Sequence, residues 1–251
     1  MPARESRPLR IHIVNPNTTR AFTDKIARAA AAVKLAETEL LVTQSAMGPV
    51  SIEGYYDEAF SVPGLLQQVR EAEAKGASGH VIACFDDTGL DAARSIANAP
   101  VIGIGEAGYH AASMIAGKFS VVTTLSRSIP AIEHNLVRYG LMSRCAKVRA
   151  SEVPVLDLED AKPDALAMIS NEIARAKEVD RAEAIVLGCA GMADLAASMA
   201  KTHGLPVIDG VTAAVTLIEA LARLGLKTSK LGGYAAPRHK SYTGMFSSFE
   251  P

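Results

Sequence analysis

Two cysteines, Cys84 and Cys189, stand where a thiol can take or give a proton. Each follows a short apolar run, 81–83 in one case and 184–187 in the other. Each then enters a small or polar turn, Asp86-Asp87-Thr88-Gly89 or Ala190-Gly191-Met192, that leads into a helix. Ligands in open α/β sheets bind beyond the carboxyl ends of the strands. A thiol beside a helix N-terminus meets partial positive charge and unpaired N–H groups, which favour the thiolate. Two thiols facing one cleft suit inversion of a carbon next to a carbonyl. A thiolate removes the proton from one face of the planar carbanion, a thiol returns one to the other, and the roles exchange for the other enantiomer. A cysteine hydrolase would need a histidine as activating base, and neither cysteine has one beside it in sequence. Cys145, after Ser143-Arg144, reads as a small packing residue.

The elements that must position these thiols alternate along the chain. Runs at 11–14, 40–42, 81–83, 101–104, 119–122, 153–156, 184–187 and 207–208 read as buried strands, with helical stretches such as 18–33, 62–75 and 163–178 between them. Such alternation predicts parallel sheets with helices on their faces. Pro63 and Pro163 suit a first helical turn. The pattern is written twice. The cysteines lie 105 positions apart, the Pro-Val-Ile runs at 100 and 206 lie 106 apart, and the strand ends Val14 and Val122 lie 108 apart. The expected fold is α/β with two similar αβα lobes, mostly parallel sheets and pseudo-twofold symmetry, the active site lying in the cleft between the lobes. A helix over 211–224 would cross back to the first lobe, giving lobes of 1–102 plus 211–251 and 103–210. The Gly-, Ser- and Tyr-containing segment 232–251 reads as a surface tail.

Strand-end residues would hold the substrate. Asn15, Asn17, Thr123 and Thr124 offer neutral hydrogen bonds, or serve as caps and turn formers. Backbone N–H groups around Phe85-Asp86 and Ala190-Gly191 would stabilise a developing enolate, and Gly188 and Gly191 permit close approach. The nearest arginines, Arg20 and Arg127, come later than these turns, so a neutral pocket fits an amide- or imide-like substrate. Glu53 and Tyr55-Tyr56 form either a plain turn or a carboxylate and aromatic wall beside the pocket.

Bulk properties narrow the class. A net charge of −1 gives no reason to expect nucleic acid or an acidic membrane as partner, and no apolar stretch approaches membrane-spanning length. Residues 1–10 are polar, without the apolar core of a signal peptide. Three cysteines make no disulfide framework. Neither a Cys-x-x-Cys pair nor a His pair at metal spacing occurs, so no metal and no cofactor is expected. His110 and His134 read as solvated or packed. The expected compartment is the cytoplasm.

Several segments resemble hydantoin racemases of the aspartate/glutamate racemase superfamily. They are Ile11-His12-Ile13-Val14-Asn15-Pro16-Asn17-Thr18-Thr19, Ser51-Ile52-Glu53-Gly54-Tyr55-Tyr56-Asp57-Glu58-Ala59, Ala83-Cys84-Phe85-Asp86-Asp87-Thr88-Gly89-Leu90, Phe119-Ser120-Val121-Val122-Thr123-Thr124, Val186-Leu187-Gly188-Cys189-Ala190-Gly191-Met192-Ala193 and Pro206-Val207-Ile208-Asp209. The resemblance implies two αβα lobes, a catalytic pair Cys84 and Cys189, no cofactor, a 5-monosubstituted hydantoin as substrate and a homo-oligomer. Allantoin racemases look very similar, and allantoin is itself a 5-substituted hydantoin. Amino-acid racemases of the superfamily typically carry Thr-His after the second cysteine, where this chain has Ala190-Gly191. Other readings are an isomerase or decarboxylase of a small dicarboxylate, and a two-lobed binding module without catalysis.

Overall fold

The computed structural model describes residues 8–251; of the polar stretch 1–10, residues 1–7 lie outside the described residues. Two four-stranded parallel sheets form the frame. In the first, β1 (Arg10–Asn15), β2 (Glu39–Gln44), β3 (Gly79–Ile82) and β4 (Val101–Gly103) are ordered β2-β1-β3-β4. In the second, β5 (Phe119–Thr123), β6 (Cys145–Ala150), β7 (Ala184–Gly188) and β8 (Val207–Asp209) repeat that order as β6-β5-β7-β8. Each sheet therefore changes direction beside its first strand. A crevice opens there between the carboxyl ends of β1 and β3, and of β5 and β7. Every residue of β3, β5 and β7 is buried, as parallel strands covered on both faces require.

Among the described residues eight α-helices cover the sheets: α1 (Arg20–Val33), α2 (Tyr55–Ala74), α3 (Leu90–Ile96), α4 (Ile104–Ile115), α5 (Ile129–Arg138), α6 (Pro163–Glu178), α7 (Ala196–His203) and α8 (Gly210–Arg223). One apolar cluster joins the sheets, with Ile13 and Val81 from the first, Val121 and Val186 from the second, Tyr109 from α4 and Val215 from α8. Leu65, Val69 and Leu90 close the far face of the first sheet, and Ile169 and Ile173 that of the second. Helix α8 follows β8 yet packs on α1, β3 and β4, while α4 follows β4 and packs on β7 and β8. The two helices also pack against each other, and Gly210 permits this: a Cβ there would lie 2.2 Å from the Ile104 carbonyl oxygen.

Two expected elements shift. Residues 153–156 are not a strand. Pro154 has no N–H for a ladder, and Val155–Leu158 coil into a 3-10 turn that buries Val153 and Val155. The edge strand is β6 instead, where Lys147 and Arg149 interrupt the apolar pattern and buried Cys145 comes first. Helix α2 begins at Tyr55, which leaves Pro63 inside the helix rather than in its first turn, whereas Pro163 does open α6.

A buried polar chain runs across the first sheet. His12 of β1 and His80 of β3 are register partners, and their Nδ1 atoms lie 3.0 Å apart. His80 Nε2 lies 2.9 Å from Glu73 Oε1, His12 Nε2 lies 2.8 Å from Thr43 Oγ1, and the Ala99 N–H donates to Glu73. With neutral rings every bond has a direction: Thr43 donates to His12, His12 to His80, and His80 to Glu73. Burial, then the neighbouring His80, lowers His12 from 6.5 to about 3. Burial alone would raise Glu73, but its bonds from His80 and the backbone outweigh that and lower it to about 2.

The sign for His12 follows from its lowered value. Its contribution to stability is complete above 6.5 and is lost as pH falls toward 3, by up to ~1.4 kcal/mol per pH unit for one proton. Thermal unfolding of wild type and His12→Asn across this range should show the wild-type advantage shrinking as pH falls. An advantage that stays constant would contradict the buried, neutral His12.

Candidate active site

Cys84 lies two residues past β3 and Cys189 directly after β7, so both stand at the two crevices. They line one cavity of about 50 Å³. A water needs roughly 10–15 Å³, so this space takes a few waters or one small ring. Of the residues expected to bind substrate, Asn15, Asn17, Phe85 and Asp86 border it from the first sheet's loops, and Thr124, Gly188, Ala190 and Gly191 from the second's. Thr123 does not border it. Its hydroxyl donates to the Gly188 carbonyl at 3.0 Å, tying β5 to β7. A Cβ on Gly188 would come within 2.7 Å of the Thr123 Cβ, so glycine is what lets these strand ends close.

The turns are held by their own side chains. Asn15 Nδ2 donates to Asn17 Oδ1 (2.9 Å), Thr23 Oγ1 (3.0 Å) and the Thr19 carbonyl (3.2 Å), while its oxygen accepts from the Asn17 N–H. Asn17 Oδ1 also accepts from the Thr19 N–H, and among the described residues the Asn17 NH2 group has no hydrogen-bond partner. The Phe85 ring turns into the core edge-on to Tyr109, with centroids 5.2 Å apart. Tyr55 and Tyr56 are exposed and form no wall of this cavity. Ile52 borders it in their place, and Glu53 accepts from the Val155 N–H at 3.0 Å.

Asp87 anchors the Cys84 turn. Its φ of 52° is in the left-handed region, which aspartate tolerates better than most residues. Its buried carboxylate accepts from the Gly105 and Glu106 N–H groups at the start of α4 (3.0 and 2.8 Å) and from the Tyr139 hydroxyl (2.8 Å). Burial raises this carboxyl to about 7 against the opposing pull of those bonds.

Both sulfurs resist ionisation, contrary to the helix-end expectation. Burial is the largest cause at each, lifting Cys189 to about 11 and Cys84 beyond the usual thiol range. The local dipoles do act: the Asp86 N–H bonds to the Cys84 sulfur and the Gly191 N–H to that of Cys189. Thr88 Oγ1 adds a contact to Cys84 at 3.4 Å. Charges separate the pair. Asp86 opposes ionisation of both thiols, joined by Glu58 at Cys84 and by Glu53 at Cys189, and the Lys25 ammonium favours it at Cys189 alone. Lys25 is held by Asp194 (3.1 Å) and the Leu158 carbonyl (2.7 Å).

Known proteins resemble this chain in sequence and fold. The sequence model of the Asp/Glu/Hydantoin racemase family matches residues 11–218. The hydantoin racemase of Rhizobium meliloti is 49% identical over 236 residues, covering 94% of this chain and 98% of that protein. The structure of allantoin racemase from Klebsiella pneumoniae superposes with a TM-score of 0.94 at 46% identity, covering 97% of this chain and 99% of that one. Allantoin racemase from Pseudomonas fluorescens gives 0.90 at 40% identity over 94% and 100%. The chain belongs to the Asp/Glu/hydantoin racemase family. It is an isomerase of the racemase class with the two-sheet α/β fold of that family.

Sequence reasoning on this racemase passed over Lys25, Glu58, Ser128 and Asp87's anchoring role. The signal for Lys25 was a charge one position from Ile26 and three from Phe22, both buried on α1. Replacing Asp87 by alanine would strand three buried donors, at ~1–3 kcal/mol, and free the turn that carries Cys84. Calorimetry should show a melting temperature lower by roughly 2–10 °C, with turnover falling alongside. An unchanged melting temperature would contradict the anchoring role.

Proposed function

We propose that the enzyme racemises 5-monosubstituted hydantoins by moving the C5 proton between Cys84 and Cys189. The carrying observation is that both sulfurs reach one small cavity from equivalent strand ends. Removing the C5 proton puts negative charge on the adjacent carbonyl oxygen. The free Asn17 NH2 group and the hydroxyls of Thr124 and Ser128 are available along the cavity to receive it. The remaining expected contacts, Asn15, Phe85, Gly188, Ala190 and Gly191, shape the cavity through backbone and packing. Cys189 beside Lys25 is the thiol that ionises first, so it serves as base toward one enantiomer, and Cys84 toward the other after the proton has moved.

Racemases bearing the names hydantoin and allantoin both align over nearly the whole chain, which supports a hydantoin ring as the common element and keeps the ureido-substituted ring of allantoin among the candidate substrates. Isomerisation or decarboxylation of a dicarboxylate would leave the pairing of the thiols unexplained. We further propose two lobes, 1–102 plus 211–251 and 103–210, that close over the ring, and a cytoplasmic homo-oligomer. Among the described residues no helix is long and apolar enough to cross a membrane. The exposed Val50, Tyr55, Tyr56 and Phe60 offer an apolar patch suited to a subunit contact.

Polarimetry of enantiopure 5-benzylhydantoin and of allantoin, with no metal or cofactor added, tests the assignment. Wild type should abolish rotation faster than the spontaneous rate. Cys84→Ser and Cys189→Ser should each lose about 100-fold or more, the scale of a lost general acid or base. Wild-type turnover by both variants would overturn the two-thiol assignment.

A further inference from the structure

A second cavity of about 310 Å³ adjoins the first, and Asp86 borders both. Glu58 of α2 borders the second cavity too, as do Asp91 of α3 and His134 and Arg138 of α5. Asp86 is half-buried, and its carboxyl takes no hydrogen bond from the described residues. Glu58 Oε1 is buried and likewise has no partner.

The two halves differ at this point. Two positions after Cys84 stands a carboxylic acid, and two positions after Cys189 stands Gly191. In a site built by duplication, a group present on one side alone answers a need that the symmetric chemistry does not create. Two-base racemisation has such a need. Each conversion leaves the thiol and thiolate exchanged, so repeated conversion in one direction requires that one sulfur shed a proton and the other regain one before the next substrate binds.

We infer that Asp86 and Glu58 form a proton relay that connects Cys84 to solvent through the second cavity. This rests on the two-thiol reading. In the reset step after Cys189 has acted as base, an O–H bond of Asp86 breaks and the Cys84 S–H bond forms. Water reprotonates Asp86 by way of Glu58, and the Cys189 S–H bond breaks as its proton passes to water in the catalytic cavity. One proton leaves and one enters, with no other bond changed. Asp86 is the foremost charge acting on the Cys84 thiol. Burial, then Glu58, then Asp87 lift Asp86 to about 8, so Asp86 can carry a proton near neutrality, and burial, then Asp57, raises Glu58 above the ordinary carboxylate value. On the rim, Asp91 is paired with Arg138, and His134 is exposed.

The test compares wild type with Glu58→Gln in steady-state racemisation, and Asp86→Asn serves as a second variant where circular dichroism shows it folded. Capture of substrate by correctly protonated enzyme sets kcat/KM, whereas the reset enters only kcat. Glu58→Gln should lower kcat roughly tenfold or more, leave kcat/KM within about twofold, and recover kcat as imidazole buffer is raised. Parallel loss of kcat and kcat/KM without buffer rescue would make Glu58 merely structural and overturn the relay. So would unchanged kinetics, or a rise in KM confined to one 5-substituent, which would make the cavity a substituent pocket. Wild-type enzyme that leaves rotation unchanged would instead overturn the racemase assignment itself and take the relay with it.

Discussion

A thiol withdrawn from water holds its proton, and here two thiols are withdrawn together at the ends of β3 and β7. Burial is the dominant influence on both, larger than any single charge or hydrogen bond. The same exclusion of water strengthens every charge that does reach a sulfur. Much of the frame serves to hold the two half-buried sulfurs in place at one small cavity. The parallel sheets open at their switch points, Gly188 allows β5 and β7 to close, and Asp87 ties the Cys84 turn to α4 and Tyr139. The common apolar cluster then joins the sheets on which the thiols stand.

Duplication supplies the opposed geometry, and departures from duplication supply direction. Each sulfur accepts the N–H two residues ahead, so local backbone chemistry is the same on both sides. The charges are not. Asp86 opposes ionisation of both thiols, but only Cys189 has an ammonium, Lys25, to offset it, so the two thiols start from unequal acidities. On the proposed two-thiol mechanism, a substrate whose C5 proton faces Cys189 meets the readier base.

Much of this was legible in the residues. Buried parallel strands read as unbroken apolar runs, so β1, β3, β5 and β7 stood out, and the spacing of the cysteines exposed the repeat. The edge strand β6 was hidden because an edge is half solvated and carries Lys147 and Arg149 between its apolar positions. The 153–156 segment imitated a strand because Val153 and Val155 are buried, but in a turn. Thr123 and Thr124 are adjacent and chemically alike. Which of them faces the cavity depends on strand pleat and on the Gly188 carbonyl, neither of which is visible in a dipeptide. Lys25 and Glu58 reach the site from helices distant in sequence, and the desolvation that governs the thiols belongs to the packed fold rather than to a motif.

The most direct measurement of transfer between two thiols is racemisation of one enantiomer of 5-benzylhydantoin in deuterium oxide, stopped early and resolved by chiral chromatography with mass detection. Two opposed bases predict deuterium at C5 of the inverted product while recovered substrate remains protonated. Deuterium appearing equally in product and recovered substrate would contradict them and indicate a single base exchanging with solvent.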